Sequence, residues 1–446
     1  MPVSPARAFA FDILIRIERE QSYATELLHA DSGKSLSEQD HGLATEIVMG
    51  VLRWRLWLDD RIAEFSSQKL GKLDLEVLTA LRIASYQLVW LNRVPARAAI
   101  YESVELVKRA RKRSSAPFVN AVLRKLAENK LPIPAPTNPH SSVELAVKLA
   151  HPQWLVERWV AHYGSSTAAE ICHYDQTVPE TTIRLRHPEI EEQLTREGIR
   201  LAPGALLSSA RKVIAGDITH TPSFRKREVI IQDEASQLVA ALLGEGESVL
   251  DCCAAPGGKT RVIAERNPQA EITALELHPH RARLMRNLLP PESNGNIRIA
   301  AGDARMPPFS AKFDRILTDV PCSGTGTLAR NPEIKWRLQP SRLDELHELQ
   351  ITILRSALAQ LERGGRLVYS TCSLEPEENE KVVERIAAED KSLIIRDCGS
   401  EIKSLRDSGE LVWANLANLT RGPYLRTLLG THPCEGFFAA ILEKGS

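Results

Sequence analysis

The chain has 446 residues, 43% of them hydrophobic and 26% charged, with a formal net charge of zero. These proportions belong to a globular protein of about two to four domains, and they exclude disorder, low complexity and a cysteine-dense scaffold. Zero net charge also argues against a protein that coats nucleic acid without selectivity. No run of eighteen apolar residues occurs, and Met1-Pro2-Val3-Ser4-Pro5 lacks the basic-then-apolar order of a signal peptide, so a cytoplasmic protein with no membrane partner is expected. The seven cysteines are odd in number and lack zinc-ligand spacing, which predicts free thiols in a reducing compartment and no metal site.

The first 130 residues predict helix after helix. Ser37-Glu38-Gln39-Asp40 has the form of a capping box, and Leu43, Ile47, Val51, Trp54 and Leu58 then recur at spacings of four and three. Asp74 is placed to cap the next helix, whose stripe runs Val77, Leu81, Ala84, Leu88 and Leu91 before Pro95 interrupts it. An all-α bundle over residues 1–130 follows. Its densest basic run, Lys108-Arg109-Ala110-Arg111-Lys112-Arg113, is backed by Arg93, Arg97, Arg124 and Lys125. Two readings of that run stay open, a solvated helix end or a phosphate-binding patch.

Leu131-Pro132-Ile133-Pro134-Ala135-Pro136-Thr137-Asn138-Pro139 cannot continue a helix, because proline lacks the donor N–H and biases its predecessor toward extended backbone. It predicts a linker. Residues 141–227 predict a small α/β module, with helices at 143–150 and 152–162, a strand at 181–185 and a short helix at 189–197. From residue 228 to 446 strands and helices alternate: strands at 248–251, 272–276, 297–300, 313–319 and 366–369, helices at 261–265, 280–289, 341–361 and 376–388. That order predicts a doubly wound, mainly parallel sheet.

Ligands of such sheets bind at the carboxyl ends of the strands, and the unusual residues sit there. The first strand ends at Asp251 and runs into Cys253-Ala254-Ala255-Pro256-Gly257-Gly258-Lys259-Thr260, small residues that let backbone approach a ligand before a helix whose free N–H groups favour an anion. The second strand ends in Glu276, placed to accept two ribose hydroxyls, and Asp303 follows the third, able to accept from an adenine amino group. A rival reading is a phosphate-binding loop of the G-x-x-x-x-G-K-[ST] form, with Arg315-Ile316-Leu317-Thr318-Asp319 as its magnesium-binding strand. Cys253 in place of the first glycine, the missing N–H of Pro256 and the carboxylate of Glu276 count against it. A loop without any ligand is opposed by Lys259, a cation in the first turn of a helix that demands a compensating charge.

The fourth strand runs into Asp319-Val320-Pro321-Cys322-Ser323-Gly324 and the fifth into Ser370-Thr371-Cys372-Ser373. Cysteine is more often packing than chemistry, and Cys172, Cys252, Cys398 and Cys434 are read so. Cys322 and Cys372 differ in occupying polar turns just after strand ends that are expected to be neighbours. A thiolate added to carbon 6 of a cytosine makes carbon 5 enamine-like and able to take a methyl group from a sulfonium, after which the carbon 5 proton leaves and the thiol is eliminated. Such a nucleophile needs a nearby cation or helix N-terminus, for which Lys259 and the helix beginning near Pro376 are candidates. Asp319 can contact the ring at N3 or its amino group, or it simply caps the turn before Pro321.

Taken together, Cys253 to Thr260, Asp319 to Gly324, Pro332-Glu333-Ile334-Lys335-Trp336 and Ser370-Thr371-Cys372-Ser373-Leu374-Glu375-Pro376-Glu377-Glu378-Asn379 resemble the bacterial ribosomal-RNA cytosine-5 methyltransferases of the RsmB type, also called Sun or Fmu. Gly42 to Arg53 and Phe118 to Arg124 resemble the NusB-type RNA-binding domain that this subgroup carries, and Gln232-Asp233-Glu234-Ala235-Ser236-Gln237 the start of its catalytic domain. The resemblance implies a Rossmann-like methyltransferase domain and an S-adenosylmethionine site lined by Cys253, Ala254, Ala255, Pro256, Gly257, Gly258, Lys259, Glu276, Asp303 and Asp319. It also implies that Cys372 attacks while Cys322 assists release, roles that spacing alone leaves open. Small departures are Glu276 where Asp is common, Cys252 for a larger apolar residue, and Cys434-Glu435-Gly436-Phe437-Phe438 where Asp-Gly-Phe-Phe is frequent; none is expected to touch the chemistry. The implied partner is small-subunit (16S) rRNA, naked or early in assembly, met by a monomer at an unpaired or flipped cytosine. The alternatives are the same chemistry on tRNA, or a noncatalytic RNA-binding factor of ribosome assembly.

Overall fold

The computed structural model describes residues 3–29, 36–129, 141–290 and 296–445. The expected proline-rich linker at 131–139 lies outside them. The stripe from Leu43 to Leu58 forms one face of a long helix, Glu38–Phe65, with Ile47, Val51 and Leu58 buried. Ser37 starts it as expected: its hydroxyl accepts the Asp40 N–H at 3.1 Å and donates to the Asp40 carboxylate at 2.9 Å. Asp74 precedes the helix Leu75–Trp90 but makes no capping bond, because its carboxylate pairs with Lys112 at 3.1 Å. That helix buries more than the predicted stripe, Ile83, Tyr86 and Gln87 included, since Glu38–Phe65, Ala96–Arg109 and Ala116–Glu128 all pack against it.

The chain divides into two compact units, residues 1–178 with 328–337, and residues 179–327 with 338–446. The expected 141–227 module is therefore not one unit. Its helices Ser142–Lys148, Gln153–Tyr163 and Ser165–Asp175 pack on one another within the helical unit, while its strands fall in the second. Leu328–Arg337 joins the helical unit through specific bonds: Trp336 Nε1 donates to the Leu52 carbonyl at 2.6 Å, and the buried Lys335 ammonium donates to the carbonyls of Arg53 and Ala150 at 3.1 and 3.2 Å. His151 and Asp175 meet nearby at 3.2 Å. Burial pushes the Asp175 carboxyl up to about 8 and the Lys335 ammonium down to about 7.

In the second unit β1 (Thr182–Leu185), β2 (Arg200–Pro203), β3 (Ala210–Ala215) and β4 (Val229–Ile231) form a small antiparallel sheet in the order β2-β3-β1-β4. The large sheet contains β5 (Ser248–Cys252), β6 (Glu271–Glu276), β7 (Ile297–Ala301), β8 (Phe313–Asp319) and β9 (Leu361–Thr371), in the parallel order β9-β8-β5-β6-β7. Beyond β9, β10 (Leu393–Arg396), β11 (Thr420–Arg421), β12 (Tyr424–Arg426) and β13 (Phe438–Lys444) add antiparallel pairings that the sequence did not reveal. The sheet is thus Rossmann-like and mainly parallel through its centre. Its strand order reverses between β5 and β8, and ligands of open α/β sheets bind at that switch point.

Candidate active site

The loop after β5 turns sharply. Cys253 takes a left-handed backbone (φ +60°), as does Gly257 (φ +105°), and a Cβ on Gly257 would stand 2.9 Å from the Met285 side chain. The helix Gly258–Arg266 begins there with its free N–H groups toward the loop. Cys253 thus adopts the geometry thought to require glycine, so that objection to a phosphate-binding loop falls. The missing N–H of Pro256 remains.

Lys259 finds the compensating charge its position demands. Its ammonium donates to Asp319 Oδ2 at 2.7 Å, across the switch point, while Ser370 donates to Oδ1 at 2.8 Å. Burial alone would lower this lysine, and Asp319, with Cys372 and Asp251 behind it, more than offsets that and raises it. Both Asp319 oxygens are engaged by other elements, which favours a held reactive-site carboxylate over a simple turn cap. Asp251 lies beneath, buried, pushed up to about 7 by desolvation, with Thr260 donating to one oxygen.

The adjacent strands β8 and β9, with Asp319 opposite Ser370, bring their following loops together and place Cys322 Sγ 3.1 Å from Cys372 Sγ. The hydrogen bond with Cys372 and then burial push the Cys322 thiol up. Gly326 donates its N–H to the Cys372 carbonyl at 2.9 Å, and a Cβ there would lie 2.0 Å from the Gly436 carbonyl oxygen, so only glycine lets these backbones meet. The helix expected near Pro376 begins as a 3-10 turn, Pro376–Glu378, ahead of the helix Glu380–Glu389. With Glu377 and Glu378 in that turn it offers a thiolate no positive end, and Lys259 is the cation at hand.

A cavity of about 530 Å³ opens beside this cluster, lined by Asp251, residues 253–259 and Asp319, and extending to Phe224, Arg227 and Leu289. Neither Glu276 nor Asp303 lines it. Glu276 is buried and accepts the His278 N–H at 2.9 Å; Asp303 is clasped by Arg305, whose Nη2 donates at 2.6 Å and holds that carboxyl below its usual range. The site nevertheless suits the implied S-adenosylmethionine. Asp251 Oδ1 is buried at the cavity with no hydrogen-bond partner among the described residues, and a helix N-terminus faces the same loop.

The sequence reading missed three participants. Phe437 lies under the Lys259 ammonium at 5.0 Å; it belongs to the Gly436-Phe437-Phe438 that matches the family pattern, not to the departing residues before it. Ser370 and Glu378 lie within the motifs but carry no signal of their own in residue type; burial and bonding distances reveal them. In the basic run, Lys108, Arg109 and Lys112 pair with Glu105, Asp12 and Asp74, which favours the solvated helix end for those three; Arg111 and Arg113 are exposed.

Residues 239–443 match the family described as 16S rRNA methyltransferase RsmB/F, and residues 4–128 match the NusB family. The probable ribosomal RNA small subunit methyltransferase B of Bacillus subtilis is 37% identical, over 86% of this chain and 88% of its own length. The ribosomal RNA small subunit methyltransferase B of Vibrio cholerae is 33% identical, over 92% of this chain and 91% of its own. Among solved structures, PH0851 shares the fold over the full length of both chains, with a TM-score of 0.80 at 22% identity. A methyltransferase homologue from Pyrococcus horikoshii matches 69% of this chain and 99% of its own at a TM-score of 0.55 and 25% identity. With relatives this similar over nearly their whole length, the chain belongs to the ribosomal RNA small subunit methyltransferase B family, a NusB-like helical domain joined to an S-adenosylmethionine-dependent methyltransferase domain.

Proposed function

We propose that the chain methylates carbon 5 of a cytosine in 16S rRNA through a covalent adduct with Cys372. The observation that carries this reading is the pair of thiols 3.1 Å apart beside a lysine-carboxylate pair at the switch point of the sheet. Two sulfurs so close suit one ring that is first attacked and later released. Residues Cys253 to Lys259 and Asp319 would hold S-adenosylmethionine, which supplies an electrophilic methyl group when bound; Glu276 and Asp303, the carboxylates implied for its ribose and adenine, stand outside the cavity, engaged by the His278 N–H and by Arg305.

In this reading Cys372, with the Lys259 ammonium near, adds to carbon 6 of the cytosine. Asp319, anchored by Lys259 and Ser370, steadies N3 or the amino group as charge develops there. Once carbon 5 carries the methyl group, a solvent water takes its proton as base, the C–H electron pair re-forms the carbon 5–carbon 6 double bond, and the Cys372 sulfur leaves with its bonding pair as a thiolate. Cys322 lies within hydrogen-bonding distance of that sulfur and, donating an S–H···S bond to it, assists its release. The NusB-like helices over residues 1–130 would bind the RNA, and residues 228–446 carry the chemistry.

The test is transfer of tritiated methyl from S-adenosylmethionine to 16S rRNA, followed by digestion to nucleosides. Label in 5-methylcytidine is expected. Label in another nucleoside, or a protein that binds donor and RNA and transfers nothing, overturns the reading; transfer confined to tRNA would move the substrate and keep the chemistry.

A further inference from the structure

Two thiols on separate loops need something to hold them in register. Resting on the reading above, we infer that Glu378 is a positioning residue whose single carboxylate clasps the Cys322 loop to the Cys372 loop. Its Oε1 accepts the backbone N–H of Ser323 at 2.8 Å and the Gln350 amide at 3.0 Å. Its Oε2 accepts the hydroxyls of Ser323 and Ser373, the latter at 2.5 Å. Ser323 and Ser373 are the residues immediately after the two cysteines, and their hydroxyl oxygens lie 3.0 Å apart. One buried group thereby fixes both loops within a residue of their sulfurs.

The clasp is anchored from behind. Gln350, on the helix Pro340–Gln360, also donates to the Pro321 carbonyl at 2.9 Å, just before Cys322. Tyr369 on β9 donates its hydroxyl to the Glu378 carbonyl at 2.6 Å, and Asn379 donates to the Ser373 carbonyl at 2.9 Å. Glu378 is fully buried, and desolvation raises its carboxyl even though Ser323, Ser373 and Gln350 pull it down. An apolar side chain would fill the space without that desolvation cost, but it could not gather donors from three segments. Glu378 reaches the substrate only through the loops it holds.

Closure of the Cys322–Cys372 disulfide by the azo oxidant diamide, followed in the full-length protein by mass spectrometry, reads the sulfur spacing without calling on methyl transfer. Glu378→Ala is expected to slow closure about tenfold or more and to lower kcat about as much, with KM for rRNA and donor Kd within about threefold of wild type. Glu378→Gln, which keeps an acceptor for the Ser323 N–H and donors for the hydroxyls, is expected to recover most of both. A folded Glu378→Ala protein that closes the disulfide at the wild-type rate overturns the inference. Should Glu378→Ala fail to fold, Ser323→Ala removes one hydroxyl arm, whose contacts are Glu378 and Ser373; slower closure supports the clasp and an unchanged rate overturns it. A wild-type protein without methyl transfer would defeat the functional reading instead, and the comparison of closure rates would still stand.

Discussion

A cation in the first turn of a helix opposes the macrodipole, and at Lys259 that conflict is resolved by Asp319 at 2.7 Å. Replacing the ammonium leaves Asp319 with the Ser370 hydroxyl and removes a cation whose field reaches Cys372. Lys259→Met is therefore expected to lower kcat by about 100-fold, the scale of losing one preorganised electrostatic contact; single-turnover methylation within threefold of wild type would contradict the role. Asp251 gives a pH-dependent prediction. Its folded value near 7 lies above the ordinary carboxylate range, so the folded state keeps a proton that the unfolded state releases. Its contribution to stability is full below the unfolded value and is lost as pH rises through about 7. The melting temperature of Asp251→Asn relative to wild type should accordingly be more favourable at pH 8 than at pH 5. An identical difference at the two pH values would show that Asp251 does not hold that proton.

Among the elements, the Cys322 loop joins the C-terminal stretch tightly, because the Gly326 and Gly436 backbones meet there. Gly326→Ala must displace one of them, at a cost of about 1–3 kcal/mol typical of overpacking, measurable by urea denaturation; an unchanged midpoint would mean that the junction is loose. The elements legible in the sequence share a physical trait. Strands β5, β6 and β8 each carry an adjacent apolar pair buried on both faces (Val249–Leu250, Ala274–Leu275, Ile316–Leu317) and are bounded by turns, and the helix Glu38–Phe65 has a clear stripe and cap. β2 escaped because its four residues are half exposed and show no alternation, and β11 because it spans two residues. Of the candidate site, the sequence marks by residue type the groups that the fold brings together, Cys322 with Cys372 and Lys259 with Asp319. Glu378 and Phe437 stayed hidden because their roles come from tertiary burial, which no local pattern encodes.

Over the whole molecule, composition pointed to a boundary in the proline-rich stretch, yet the compact units part after Val178. Packing decides that boundary, and packing also returns Leu328–Arg337 to the helical unit from a position far along the chain. Trp336→Ala would remove the bond to Leu52 and the stacking of Arg55 at 5.6 Å. It is expected to destabilise the helical unit by about 2–3 kcal/mol, less than full truncation of a buried tryptophan; denaturation unaffected by the change would show that the segment is merely laid on the surface. The division of labour between the two cysteines is measured directly by a denaturing gel of each serine variant incubated with 16S rRNA and S-adenosylmethionine. Cys322→Ser should accumulate a covalent protein-RNA adduct that survives denaturation, while Cys372→Ser forms none. An adduct in Cys372→Ser and none in Cys322→Ser would contradict the account and make Cys322 the nucleophile.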